Sequence, residues 1–145
     1  MRCLGIDYGE RRIGLSYGDE LGVAVPLAAA TEPTPEARLE RVVQLARERR
    51  ATDLVVGYPF NMDGSVGFKA REVDAFIGKL TAVLPLPVHR VDERLSTRTA
   101  TEHMSKRRDD ELRRSGRIDS MAACVILQDF LNQRLPPALD EPPVE

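Results

Sequence analysis

The sequence predicts a single α/β domain on a mixed five-stranded sheet, a three-strand antiparallel meander followed by parallel strands, with flanking helices. Three observations carry that prediction. The first three apolar runs follow one another with only turn residues between them, as antiparallel neighbours do. Each later apolar run comes after a stretch of helical periodicity, the connection a parallel strand needs. The chain has 145 residues, enough to bury one core and too few for two typical domains.

Cys3 to Tyr8 is the first strand, and Gly9-Glu10-Arg11 turns the chain into a second, Arg12 to Tyr17. Leu21 to Ala29 is the third, with Pro26 marking an edge or a bulge. Thr34 and Pro35 are suited to the cap and first position of a helix, and Leu39, Val42, Val43 and Ala46 recur behind them at helical spacing. The apolar run in Asp53 to Tyr58 fits a buried strand ending at Pro59, where the loop PFNMDGSVG begins. A second helix presents Val73, Phe76, Ile77, Leu80 and Leu84 on one face and is closed by Pro85 and Pro87. Val88 to Val91 is the last strand, followed at once by Asp92-Glu93-Arg94. Ser96 caps a third helix running to about Lys106, and a charged loop follows. The last helix, about Ile118 to Leu135, turns Ala122, Ala123, Ile126, Leu127, Phe130 and Leu131 inward and stops at Pro136-Pro137. The domain is therefore 1–137, and 138–145 is expected to be a short disordered tail.

With 42% hydrophobic and 30% charged residues, the balance is that of a soluble globular protein, and no apolar run approaches the roughly 20 residues of a membrane span. The N-terminus enters a strand without a signal-peptide pattern, and Cys3 and Cys124 lie among apolar neighbours. A cytoplasmic protein with reduced, packed thiols is expected. Net charge is only -2, but Arg94 to Arg117 holds eight basic and four acidic residues. Such a local patch suits either polyanion binding or a solvated helix face.

The carboxylates are more specific. Asp7 closes the first strand, Asp92 and Glu93 close the last, and Asp119 opens the last helix. Sites in open α/β sheets gather beyond the carboxyl ends of the parallel strands, so these acids can converge. Converging carboxylates need a cation, and with two histidines and two scattered cysteines the chain is better equipped for Mg²⁺ or Mn²⁺ than for zinc. Two such ions about 4 Å apart would activate water and stabilise the leaving oxygen of a phosphodiester. Each acid also has a structural reading. Asp7 would bond to the turn amides of Gly9 and Glu10, Asp119 would cap the helix, and Glu93 would pair with Arg94. Asn61 and Ser65 would contact a phosphate near a helix start, or simply shape and cap the turn. His89 and His103 read as surface residues.

GIDYGERRIG, GYPFNMDGSVG, VDERLST and GRIDSMAACVILQDFL resemble the four signatures of the YqgF/RuvX family, in order, from Arg2 to about Leu135. These RNase H-like proteins are described both as Holliday junction resolvases and as nucleases that process pre-16S ribosomal RNA. The resemblance implies an RNase H-like fold and a divalent-metal-dependent endonuclease. By it Asp7, Glu93 and Asp119 are the catalytic and metal-ligating set, and Asp92 is a neighbour. Arg117 stands where lysine is common and Tyr58 where leucine is usual, and neither touches the acidic set. No fourth acid is equally well placed, so water or a substrate phosphate would complete the coordination.

The expected substrate contacts are Asn61, Ser65, Arg94, Arg98, Lys106, Arg107 and Arg108, the basic ones holding backbone phosphate. The expected partner is nucleic acid, either precursor 16S rRNA or branched DNA, and a junction resolvase would form a two-fold homodimer. Two other classes compete: a non-catalytic RNA- or ribosome-binding module, and a nucleotide-binding protein of the actin and sugar-kinase type, whose phosphate loop begins with a similar Asp-x-Gly hairpin.

Overall fold

Alternate side chains of a strand point to opposite faces of its sheet, so two different faces follow from one sequence. A computed structural model describes residues 1–59, 67–92 and 118–134. Five strands form one sheet: β1 (Arg2–Tyr8), β2 (Ile13–Asp19), β3 (Val25–Ala30), β4 (Asp53–Tyr58) and β5 (Val88–Asp92), in the order β3-β2-β1-β4-β5. The β1–β2 and β2–β3 pairs are antiparallel, and β1–β4 and β4–β5 are parallel. The meander and the parallel extension are as the sequence predicts.

One face is covered by α1 (Pro35–Glu48) and α2 (Phe68–Val83). Leu4, Ile6, Ile13, Leu15, Leu54 and Val56 point into it and pack with Val42, Phe76, Ile77 and Leu80. Fully burying a Leu, Ile or Phe side chain contributes about 1.5–3 kcal/mol, so this layer holds most of the apolar stabilisation. Thr34 caps α1 by accepting from the Ala37 amide, with Pro35 in the first turn. The sequence misses Arg38, which is buried in this layer and donates to the carbonyls of Glu32 (2.6 Å) and Glu10 (2.8 Å). It thereby ties the β1–β2 turn to α1.

The other face carries the final helix, α3 (Met121–Arg134), entered through a single 3₁₀ turn, Ile118–Ser120. Its buried side consists of Ala123, Val125, Ile126, Leu127, Phe130 and Leu131. Ala122, expected to face inward, stands in the first turn of α3 and is only half-buried, and Val125 is buried instead. This face of β1 and β2 is made of small residues. A Cβ on Gly5 would lie 2.9 Å from Leu127 Cβ and 3.0 Å from the Ala123 carbonyl oxygen. Ser16 is fully buried and donates its hydroxyl to that same carbonyl at 2.8 Å.

The third strand starts at Val25 rather than Leu21. Gly22, at φ 83°, closes a turn in which the Gly22 amide bonds to Asp19 O and the Leu21 amide to Asp19 Oδ1. Pro26 sits on β3, an edge strand, opposite Ser16, and the β2–β3 register slips between Ile13 and Leu15. An edge tolerates the missing proline N–H. Cys3 is fully buried, and burial pushes its thiol up to about 11, so it packs as a small apolar residue. Cys124 is half-buried and donates to Ala24 O at 3.4 Å, with no disulfide to Cys3. Among the described residues no helix is long and apolar enough to cross a membrane.

Gly5→Ala drives a methyl group into α3 and is expected to lower stability by about 1–3 kcal/mol, seen as a lower urea midpoint with an unchanged slope. Ser120→Ala removes the acceptor of the buried Leu15 amide (2.9 Å) and is expected to cost about 1–3 kcal/mol in the same titration.

Candidate functional site

The site forms where β1 ends. Tyr8 stacks on Phe76 of α2, with centroids 4.7 Å apart, which fixes the pleat and leaves Asp7 on the α3 face. Directly across β2, Asp7 is in register with Gly14. A Cβ on Gly14 would lie 2.5 Å from the Asp119 carbonyl oxygen, so the 3₁₀ turn rests on that glycine. Cross-strand partners have their Cα atoms roughly 5 Å apart, which makes the Asp119 backbone a near neighbour of Asp7. Two acidic residues from opposite ends of the chain therefore have their backbones at one end of one face.

The 3₁₀ turn is pinned by its last residue. Where the β2–β3 register slips, Ser120 Oγ accepts from the Leu15 amide at 2.9 Å, and the Ser120 side chain is fully buried. Asp119, one residue earlier, is half-buried and turned outward. Its Oδ1 accepts from Arg12 Nη1 at 3.0 Å, so its carboxylate meets a guanidinium rather than capping the helix. The Arg12 side chain is 57% exposed, and an ion pair in that setting is worth about 0–1 kcal/mol. Arg12 was not a candidate in the sequence. Its pairing depends on a segment more than a hundred positions away, which no local pattern reveals.

Asp92 lies elsewhere. It is in register with Tyr58, whose ring belongs to the α1–α2 core and whose hydroxyl donates to Asp74 Oδ2 at 2.7 Å. The pleat puts Asp92 on that face, away from Asp7 and Asp119. His89 faces α3 near the opposite end of the sheet, with Nε2 2.8 Å from Asp53 Oδ2 and its ring against Phe130. Partial burial works to raise the Asp53 carboxyl, and hydrogen bonds from His89 and Thr52 outweigh it and hold the group below its usual value. This end is a structural clasp.

Glu93, the third acid, lies outside the described residues, as do Asn61, Ser65, Arg94, Arg98, His103, Lys106, Arg107 and Arg108. The helix-cap reading of Ser65 is superseded: the residue capping α2 is Gly67, with no side-chain hydrogen bond. Among the described residues no group of three or more His, Cys, Asp or Glu is placed to hold a metal ion. Two hollows lie nearby. A mainly apolar groove of about 200 Å³ runs between α1 and α2 beside Tyr8, Ile13, Leu39 and Phe76, on the face away from Asp7. An open depression of about 370 Å³ follows the β1–β2 turn, lined by Gly9, Glu10, Arg11, Arg12 and Lys69.

Known proteins place this arrangement. The family described as RuvX, Holliday junction resolvase, matches residues 1–133. A relative from Opitutus terrae, provisionally named a pre-16S rRNA nuclease, is 55% identical over 98% of this chain and 99% of its own length. Thermus thermophilus RuvC, solved in complex with a Holliday junction substrate, covers 92% of this chain and 96% of its own at 17% identity, with a TM-score of 0.58. The fowlpox virus resolvase, solved with junction DNA, covers 94% of this chain and 100% of its own at 12% identity, with a TM-score of 0.57. The two structures share the fold, a RuvC-type RNase H-like sheet, and the sequence match reaches from β1 to within one residue of the end of α3. The chain belongs to the RuvX family of Holliday junction resolvases and is a nuclease.

Proposed function

We propose that this chain is a divalent-metal-dependent endonuclease acting on precursor 16S rRNA, with Asp7, Glu93 and Asp119 as its acidic set. The observation that supports the reading is the Asp119 backbone lying against Gly14, the cross-strand partner of Asp7, at one end of the α3 face. The β5 pleat argues against Asp92, which is in register with Tyr58 on the α1–α2 face, and the family resemblance then leaves Glu93 as the third acid.

The donor set suits a hard cation. Asp7 and Asp119 offer only oxygen, and Asp119 already draws the positive charge of Arg12. Asp7, Glu93 and Asp119 would hold Mg²⁺ or Mn²⁺. Bound there, the ion supplies Lewis-acid stabilisation of charge on the phosphodiester and lowers the pKa of water. The chain's own contribution is positional: β1 and the Ser120-pinned turn present two carboxylates on a rigid scaffold, and Arg12 beside them is a ready contact for phosphate oxygen.

Precursor rRNA is favoured over branched DNA by the 55% identical, full-length relative that carries the rRNA name, whereas the junction-bound structures share the fold alone. The family description favours the second reading, a junction resolvase cutting symmetrically as a two-fold dimer. A 5′-extended 16S precursor and a four-way DNA junction, offered side by side with Mg²⁺ or Mn²⁺, separate them. Cleavage of the precursor is expected, abolished by EDTA. Asp7→Asn, Glu93→Gln and Asp119→Asn should each lower it by at least about 100-fold and lose Mn²⁺ uptake in calorimetry. Paired cuts in the junction with an untouched precursor would assign DNA instead. Equal RNA binding by wild type and all three variants, with no cutting by any, would make the chain a binding module.

Gly14→Ala pushes on the Asp119 carbonyl and should reduce cleavage more than Gly5→Ala does, when the two are compared at equal folded fraction.

A further inference from the structure

The depression along the β1–β2 turn holds three cations, Arg11, Arg12 and Lys69, against one carboxylate, Glu10. All four side chains are exposed, and Arg11 and Lys69 form no ion pair among the described residues. Among the described residues Arg12 engages Asp119 through Nη1 alone. A guanidinium has five N–H donors in a planar fork, so that single bond leaves Arg12 capacity for a second acceptor. Lys69 stands in the first turn of α2, which has no acidic residue, and Gly67 gives the helix no side-chain cap. The positive end of α2 thus adds to the potential of the depression. Among the described residues no apolar side chain lines it, which argues against a hydrophobic ligand.

Resting on the nuclease reading above, we infer that Arg11, Arg12 and Lys69 form a seat for the backbone phosphate of the nucleic-acid strand beside the Asp7–Asp119 end. Arg12 links the two: it faces Asp119 on one side and the seat on the other, so a strand held there lies against the acidic set. The ligand is the phosphodiester group itself, and contact of this kind fixes the position of a strand without reading its sequence. Neither the candidates at 94–108 nor Asn61 and Ser65 include these residues, so the seat is a separate contact from another part of the chain.

The test is metal-free binding, which does not depend on cleavage. Fluorescence anisotropy with a labelled single-stranded RNA in EDTA, over a series of salt concentrations, gives affinity and salt slope together. Arg12→Ala and Lys69→Ala should each weaken binding about threefold to tenfold and lower the slope of log K against log salt by about 0.7. Arg11→Ala should act in the same direction, Arg12→Lys should keep the slope, and Arg41→Ala, an exposed arginine on α1, should change neither quantity. Urea midpoints guard against unfolding, and Lys69→Ala removes no ion pair among the described residues, so it keeps the test open if Arg12→Ala is unstable. Wild-type affinity and slope in both Arg12→Ala and Lys69→Ala would overturn the seat while leaving the nuclease reading intact. A wild-type chain that binds neither RNA nor branched DNA would overturn both.

Discussion

The close approach of α3 to β1 and β2 is the constraint on which the rest depends. Helices pack on a sheet at a distance set by the side chains between them. Here the intervening positions are Gly5, Gly14, Ser16 and Gly18, and the helix backbone comes down onto the strands. A Cβ on Gly18 would meet Leu131 Cδ1 at 2.7 Å, so the fit continues along the helix. The opposite face is filled by Leu, Ile and Val against two helices. One sheet thus has a thick apolar layer that stabilises and a thin small-residue layer that positions. The thin layer is what puts the backbone of Asp119 over β2.

Close packing alone would not fix the turn. Two hydroxyls do so: Ser16 gives its proton to the Ala123 carbonyl, and Ser120 takes the Leu15 amide at the point where the β2–β3 ladder slips. Both are fully buried, where an unmet donor or acceptor costs about 1–3 kcal/mol, so any shift of α3 along the strands is opposed by desolvation as well as by sterics. Asp119 stands just outside this dry, pinned region and keeps its carboxylate in contact with solvent and Arg12. A carboxylate whose backbone is rigid and whose side chain is weakly paired is suited to exchanging one positive partner for another.

Much of this was legible in the sequence, and what was not has a physical cause. The three-strand meander followed by parallel strands, the Thr34-Pro35 helix start and the inward stripe of α2 follow from chain order, local periodicity and capping, which a single chain displays directly. Asp7 and Asp119 could be named as element ends. Their juxtaposition across Gly14 could not, because it depends on register and on which face α3 chooses. A trace of that choice was present: Gly14, Ser16 and Gly18 alternate in IGLSYG, a small-residue strip with the period of a strand, waiting for a helix. Separating Asp92 from the acidic end likewise required knowing the phase of the β5 pleat, which Val91 packing on the α3 face reveals. Buried Arg38 carries no local signal, because its role comes from carbonyls at Glu10 and Glu32 that only the fold brings near.

The contacts that build this end of the sheet also determine when it exists. Leu15–Ser120, Ser16–Ala123 and Arg12–Asp119 each span more than a hundred positions, so none forms until the last helix has docked. A chain with β1, β2, α1 and β4 in place already has most of its apolar layer but only half of its acidic pair. Docking of α3 thus serves the fold and this end of the sheet together, because α3 covers the face opposite the α1–α2 core. For a nuclease this has a direct consequence, since an incompletely folded copy retains Asp7 and Arg12 but has no positioned Asp119 beside them.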